Sequence, residues 1–165
     1  MTQLQDAYIV AATRTPIGKS GRGVFKNTRP DDLLVAVIQS ALKQVPSLDP
    51  AAIEDAIIGC AMPEGEQGMN VAKVAALLSG LPKTVAGATV NRFCAAGITA
   101  VSMAADRIRV GEADVMIAGG VESMSMVPMG GSKPSFNPKV VDLDENVGIA
   151  YGMGMTAEKV AEQWQ

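Results

Sequence analysis

Histidine is absent from the 165 residues. The chain therefore holds no imidazole to ligate a metal or to act as a general base. Cysteine is nearly absent too: the two residues, Cys60 and Cys94, stand far apart and in no CxxC pairing. A zinc ribbon and a disulfide framework have no support. Charge is sparse, with 19% Asp, Glu, Lys and Arg against the ~25% usual in globular chains, which excludes charge-driven disorder. The 14 basic residues are outnumbered by 17 acidic ones, for a net charge of −3. No basic stripe is present to neutralise a nucleic-acid backbone, so no nucleic-acid partner is expected. No apolar run approaches the ~18 residues of a membrane span, and Met1–Asp6 lacks the blocks of a signal peptide. The expectation is a soluble, reduced, cytoplasmic protein with a sizeable core, since 48% of its residues are hydrophobic.

What is present alternates. Ala7–Ala12 is a short apolar run and reads as a buried strand. Thr13 to Arg29, with Pro16, Gly18, Gly21 and Gly23, reads as a long loop. Pro30-Asp31-Asp32 opens a helix, with proline in its first turn and carboxylates at its positive end. Leu34, Ile38 and Leu42, beside Leu33, Val37 and Ala41, form its apolar stripe, and Pro46 stops it. Asp49-Pro50 starts a helical turn. Ala56–Cys60 is a second strand, Asn70–Ser79 a helix closed by Gly80, and Ala86–Val90 a third strand. Cys94–Val110 is a helix with Ile98, Val101, Ala105 and Ile108 on one face, and Val115–Ala118 is a fourth strand. Strands alternating with helices indicate an α/β fold with a mostly parallel sheet and helices on both faces. After Gly120 the periodicity fades into a Gly/Pro-rich stretch, from which a last helix emerges near Thr156, a residue able to cap it. That helix pairs Val160 with Trp164 and meets no stop signal, as if the chain ends before its fold does.

The most informative segment is Asn91-Arg92-Phe93-Cys94-Ala95-Ala96-Gly97, between the third strand and the third helix. Ligands of parallel sheets bind beyond the carboxyl ends of the strands. A cysteine in the first turn of a helix faces the positive end of the dipole, which favours the thiolate, and the free N–H groups of that turn suit an oxyanion. From spacing alone, a buried structural cysteine remains the commoner alternative. Gly18-Lys19-Ser20 fails as a phosphate loop because Thr13 stands where a glycine is needed. Asp142–Asn146 fails as a calcium loop because Val147 and Met153 occupy the required Gly and Glu positions. It reads as a solvated acidic loop. Met124, Met126 and Met129 suit an acyl pocket or a subunit interface as well as ordinary core packing.

Four motifs, in order, resemble the N-terminal half of the thiolase family of acetyl-CoA C-acyltransferases. They are Ala12-Thr13-Arg14-Thr15-Pro16-Ile17-Gly18, Asn91-Arg92-Phe93-Cys94-Ala95-Ala96-Gly97, Ala118-Gly119-Gly120-Val121-Glu122-Ser123-Met124-Ser125 and Met153-Gly154-Met155-Thr156-Ala157-Glu158. The resemblance implies a thiolase-like α/β core half over 1–120, lacking its last strand, and the truncated beginning of an inserted, irregular loop domain over 121–165. It makes Cys94 the nucleophile, carrying the acyl thioester and donating a backbone N–H to the oxyanion, and it puts Met153 in the acyl pocket. Ala96 and Lys73 depart from the Ser and Arg of many members without removing the nucleophile.

The implied activity is acyl transfer between a 3-ketoacyl-CoA and CoA, by thiolysis or its reverse condensation. CoA is then a substrate, and no metal or resident cofactor is implied. Gly152 stands where specialists for acetoacetyl-CoA tend to have His, and Val127-Pro128-Met129-Gly130 resembles the degradative 3-ketoacyl-CoA thiolases. The family's two histidines, its second cysteine and most CoA contacts lie further on. The 165 residues alone are therefore expected to be inactive, with a C-terminal half as partner and a homodimer or homotetramer as the assembly. An acetoacetyl-CoA-specific enzyme, a ketoacyl synthase relative and a non-catalytic half acting as a binding or assembly module remain as alternatives.

Overall fold

The computed structural model describes residues 4–164, in two compact units. The first ends at Ser132 and holds three helices and three strands: α1 (Pro30–Gln44), β1 (Asp55–Gly59), α2 (Val71–Leu78), β2 (Ala86–Val90), α3 (Ala96–Arg109) and β3 (Met116–Gly120). Pro30 sits at the start of α1, and Asp31 and Asp32 complement its dipole. Asp49 caps the short turn Pro50–Ala52 by accepting the Ala51 N–H at 2.9 Å.

The sheet is parallel, in the order β2-β1-β3. From β1 to β2 the chain moves one way through α2. From β2 to β3 it moves back across β1 through α3. Right-handed crossovers running in opposite directions place their helices on opposite faces. The core divides accordingly. Ile58 packs with Leu34, Ile38, Val71 and Ala75 of α1 and α2, while Ile57, one residue earlier, packs with Ala100 and Ala104 of α3. All five residues of β1 are buried, as suits a central strand covered twice.

Two expectations fail in this unit. Ala7–Ala12 forms no ladder and is not a buried strand: Tyr8, Ile9 and Val10 are 76%, 80% and 71% exposed. The segment is tied instead by its ends, where Gln5 donates its N–H to Arg109 O at 3.0 Å and Ala12 exchanges two bonds with the Gln44 side chain. A cavity of about 640 Å³ is lined on one side by residues 7–15 and on the other by β3. Apolar composition makes a strand only where a neighbour supplies backbone partners, and none of the described strands pairs with this segment.

The second failure concerns α3. Its buried face is Ala96, Ala100 and Ala104, while Ile98 and Val101 of the expected stripe are exposed. Glycine on the strands explains the choice. A Cβ on Gly59 would lie 2.4 Å from the Ala96 carbonyl carbon, so the helix backbone rests almost directly on β1. Only small side chains fit in that gap.

The second unit begins at Lys133. It contains two 3-10 turns, Pro138–Val141 and Asp144–Ala150, and α4 (Met153–Gln163). Asn137 caps the first turn through Lys139 N–H at 3.1 Å. The expected last helix starts earlier than Thr156: Gly152 is its N-cap, and Thr156 Oγ1 bonds back to Gly152 O at 3.3 Å. Val160 and Trp164 are both exposed. Among the described residues, no helix is long and apolar enough to cross a membrane.

Candidate active site

Because the three strands are parallel, their carboxyl ends lie together. Gly59 of β1 is level with Val90 of β2 and Gly120 of β3. The register continues one step further, with Cys60 N–H bonded to Val90 O and Val121 N–H to Gly59 O, both at 3.0 Å. Three loops therefore leave the sheet side by side: Cys60-Ala61 after β1, Asn91 to Cys94 after β2, and Val121-Glu122-Ser123 after β3.

Cys94 is exposed and Cys60 is buried. Cys94 lies in the turn that leads into α3, two residues before its first helical position, Ala96, and so not within the helix as expected. The turn closes through Ala95 N–H to Arg92 O and Ala96 N–H to Phe93 O, each 3.0 Å. Phe93 adopts a positive φ of 45°, a conformation that side-chain-bearing residues other than Asn and Asp rarely take. That twist lifts Cys94 off the strand line before the helix begins. Directly behind it, the first turn of α3 rests on Gly59 and near Gly120.

Cys60 is 1% exposed. Burial, followed by the nearby Glu122 carboxylate, pushes its thiol up to about 11. It is a protonated, enclosed thiol at neutral pH, and a poor nucleophile.

A network unannounced by the sequence joins the three loops. Asn91 Nδ2 donates to Ala61 O at 3.0 Å, and Asn91 Oδ1 accepts the Phe93 N–H at 2.8 Å. Ala61 N–H donates to Glu122 Oε2 at 2.7 Å. Gln67, fully buried, donates from Nε2 to Glu122 Oε1 at 2.6 Å and to Met62 O at 2.9 Å, and its Oε1 accepts the Ser123 N–H at 2.5 Å. Asn91 and Glu122 stood in motifs, but only their types were visible there. Gln67, in the run Gly65-Glu66-Gln67-Gly68-Met69, carried no signal. The long loop joins in as well, with Gly21 N–H donating to Ser125 Oγ at 2.9 Å.

The methionine group does not pack as core: Met124 and Met129 are exposed, and the buried residue beside them is Val127. Met153 lies in the second unit, where it opens α4 and is 62% exposed. Among the described residues, no cluster of three or more Cys, Asp or Glu has the spacing to hold a metal ion. The arrangement offers one accessible thiol with a helix N-terminus beside it.

Residues 7–165 match the family model for the thiolase N-terminal domain. The chain is 42% identical over 161 residues to a 3-ketoacyl-CoA thiolase of Bacillus subtilis (strain 168), covering 98% of this chain and 40% of that protein. It is 40% identical over 173 residues to the 3-oxoadipyl-CoA/3-oxo-5,6-dehydrosuberyl-CoA thiolase of Escherichia coli (strain K12), covering 96% and 43%. Among solved structures, the thiolase of Ascaris suum in complex with coenzyme A superposes with a TM-score of 0.77 at 31% identity, over 97% of this chain and 43% of that one. The chain thus spans about two fifths of the length of these relatives.

Proposed function

Since the chain belongs to the thiolase family, we propose that it supplies the acyl-accepting half of a reaction between a 3-ketoacyl-CoA and CoA, with Cys94 as the nucleophile. The observation that carries this reading is the contrast between an exposed thiol on a shaped turn and a buried one beside a carboxylate. In the proposed cycle the Cys94 thiolate attacks the 3-keto carbon, and the bond between C2 and C3 breaks. Acetyl-CoA departs as an enolate and takes up a proton, while the shortened acyl group stays on Cys94 as a thioester. The thiol of CoA then attacks that thioester, gives up its proton and regenerates the Cys94 thiolate. The backbone N–H of Cys94 stabilises the tetrahedral oxyanion.

The proton steps need an acid and a base, each typically worth about 10²–10⁴-fold. With no histidine in the chain, the reading assigns them to a companion C-terminal half, of the kind that the longer relatives contain, and to a homodimeric or homotetrameric assembly. CoA thioesters are the substrates and no resident cofactor takes part. Acyl chains longer than acetoacetyl are favoured in this reading, because glycine stands at position 152, where specialists for acetoacetyl-CoA tend to have His. The setting is degradative lipid metabolism, in the cytoplasm.

Intact-mass and peptide mapping after exposure to acetyl-CoA or acetoacetyl-CoA test this reading. The expected result is an acyl adduct on Cys94, none on Cys60, and none on Cys94→Ser. Limiting iodoacetamide should also label Cys94 first. Preferential labelling of Cys60 in the folded chain would overturn the assignment. Sustained turnover by the purified 165 residues without a partner would overturn the assignment of acid and base.

A further inference from the structure

We propose that Asn91 and Glu122 are positioning residues that hold the Cys94 sulfur in register with an incoming thioester carbonyl, an inference that rests on the reading of Cys94 above. The carboxamide of Asn91 is fixed in orientation by its partners: the Phe93 N–H requires an oxygen, and the Ala61 carbonyl requires an N–H donor. One side chain therefore spans the gap from the loop after β1 to the residue next to the nucleophile. Phe93 is held at its positive φ from both sides, by Asn91 at its N–H and by Ala96 N–H at its carbonyl.

Ala61 is a firm anchor because it is bonded at both backbone groups. Its carbonyl meets Asn91 and its N–H meets Glu122. Glu122 in turn accepts from the fully buried Gln67, whose own amide is satisfied at both ends by Met62 and Ser123. The line Ser123, Gln67, Glu122, Ala61, Asn91, Phe93 crosses all three strand ends and stops one residue short of Cys94. Exposed turns of this kind are ordinarily mobile. This one is tied to the sheet. Acyl transfer requires the reacting atoms to meet within about 3–3.5 Å, and a misplacement of about 1 Å can cost a hundredfold. Alkylation by a small, freely diffusing reagent has no such requirement.

That difference supplies the test. In the 165-residue chain, the single-turnover acylation of Cys94 by acetyl-CoA is compared with its alkylation by iodoacetamide, for wild type, Asn91→Ala, Asn91→Asp and Glu122→Gln. Protection of Cys60 from the same reagent reports that each variant is folded. Asn91→Ala should lower the maximal acylation rate by about a hundredfold, with the half-saturating acetyl-CoA concentration and the alkylation rate within about twofold of wild type. Asn91→Asp keeps the acceptor for Phe93 but loses the donor to Ala61, and should fall between. Glu122→Gln should show a smaller fall of the same form.

Hydrogen exchange at the Phe93 amide is followed in parallel. It should be slow in wild type and faster in every Ala or Gln variant. Unchanged acylation in Asn91→Ala, or equal losses in acylation and alkylation, would overturn the proposal. If wild type accepts no acyl group, the reading of Cys94 fails on its own. The exchange data then decide the positioning: unprotected Phe93 in wild type, or unchanged protection in Asn91→Ala, overturns it.

Discussion

The two ends of the three-stranded sheet follow opposite plans. At the amino ends of the strands, charge is paired. Arg107 of α3 reaches Asp55 at 2.6 Å and Glu112 at 3.0 Å, and Glu54 accepts the Asp114 N–H at 3.1 Å. The hydrogen bond that Arg107 donates to Asp55, with the Glu112 charge, raises the Arg107 guanidinium further against the opposing effect of burial. At the carboxyl ends, none of residues 60–61, 91–94 and 121–123 joins an ion pair among the described residues. The carboxylate there, Glu122, is met by neutral donors. The lesson is a division of labour within five-residue strands. Paired charges lock one end, while neutral donors and backbone groups tie the loops at the other and leave the Cys94 thiol open to a reactant.

Substitution at Gly59 should break the open end most severely. In Gly59→Ala the new Cβ would meet Ala96 C at 2.4 Å and Gly97 N at 2.5 Å. Both are backbone atoms, so no rotamer change relieves the clash and α3 must shift. The expected loss is about 3 kcal/mol in denaturant unfolding, together with loss of Cys94 acylation. Gly120→Ala is the sharpening control. Its nearest contacts, Gly59 O at 3.4 Å and Gly97 Cα at 3.6 Å, predict a loss under about 1 kcal/mol. Equal losses at the two sites would mean that the close approach at β1 has no special weight.

Arg107→Ala tests the locked end. Asp55 is 8% exposed, and its Oδ1 has no hydrogen-bond partner. Losing Arg107 leaves a nearly buried carboxylate unpaired, which costs about 3–5 kcal/mol when both partners are fully buried. The Arg107 side chain is 29% exposed, so about 2 kcal/mol is expected here. The iodoacetamide rate of Cys94 should stay within about twofold of wild type, because the two ends share no side chain in the network. A fall in that rate would show that the ends are coupled after all.

The sheet was legible because its cues are local. Ala86–Val90 is the strand that the alternation predicts, α1 starts at Pro30 as its cap chemistry requires, and the other two strands shift by a residue or so. The N-terminal run was not legible, since strand formation depends on a neighbour elsewhere in the chain. Nor was the face of α3. Helical periodicity marks the large apolar side chains, but the glycine of β1 selects the small ones, and only the register shows that Gly59 lies beneath Ala96. For the site, Cys94 could be singled out by its place after a strand. The bond from Asn91 to Ala61 spans 30 residues of sequence, and no spacing rule encodes it.

The smallest predicted effect is the pH dependence that Cys60 brings to stability. Cys60 is an acid whose folded value is raised, so the native state holds its proton where the unfolded chain has released it. The thiol's contribution to stability is complete below the ordinary thiol range and is lost as pH rises from about 9 towards about 11. The sign follows from proton counting. In that window the unfolded state binds fewer protons than the native state, so the free energy of unfolding falls with pH. By pH 10 the loss should be on the order of 1 kcal/mol. Lysine and tyrosine titrate in the same range, so the measurement is a difference between wild type and Cys60→Ala in urea midpoints at pH 8 and pH 10. Cys60→Ala should start less stable by about 1 kcal/mol, from the space the sulfur leaves, and should lose less on going to pH 10. A parallel fall in Cys60→Ala would mean that water reaches the Cys60 thiol, and that the carboxyl end of β1 is as open as the turn beside it.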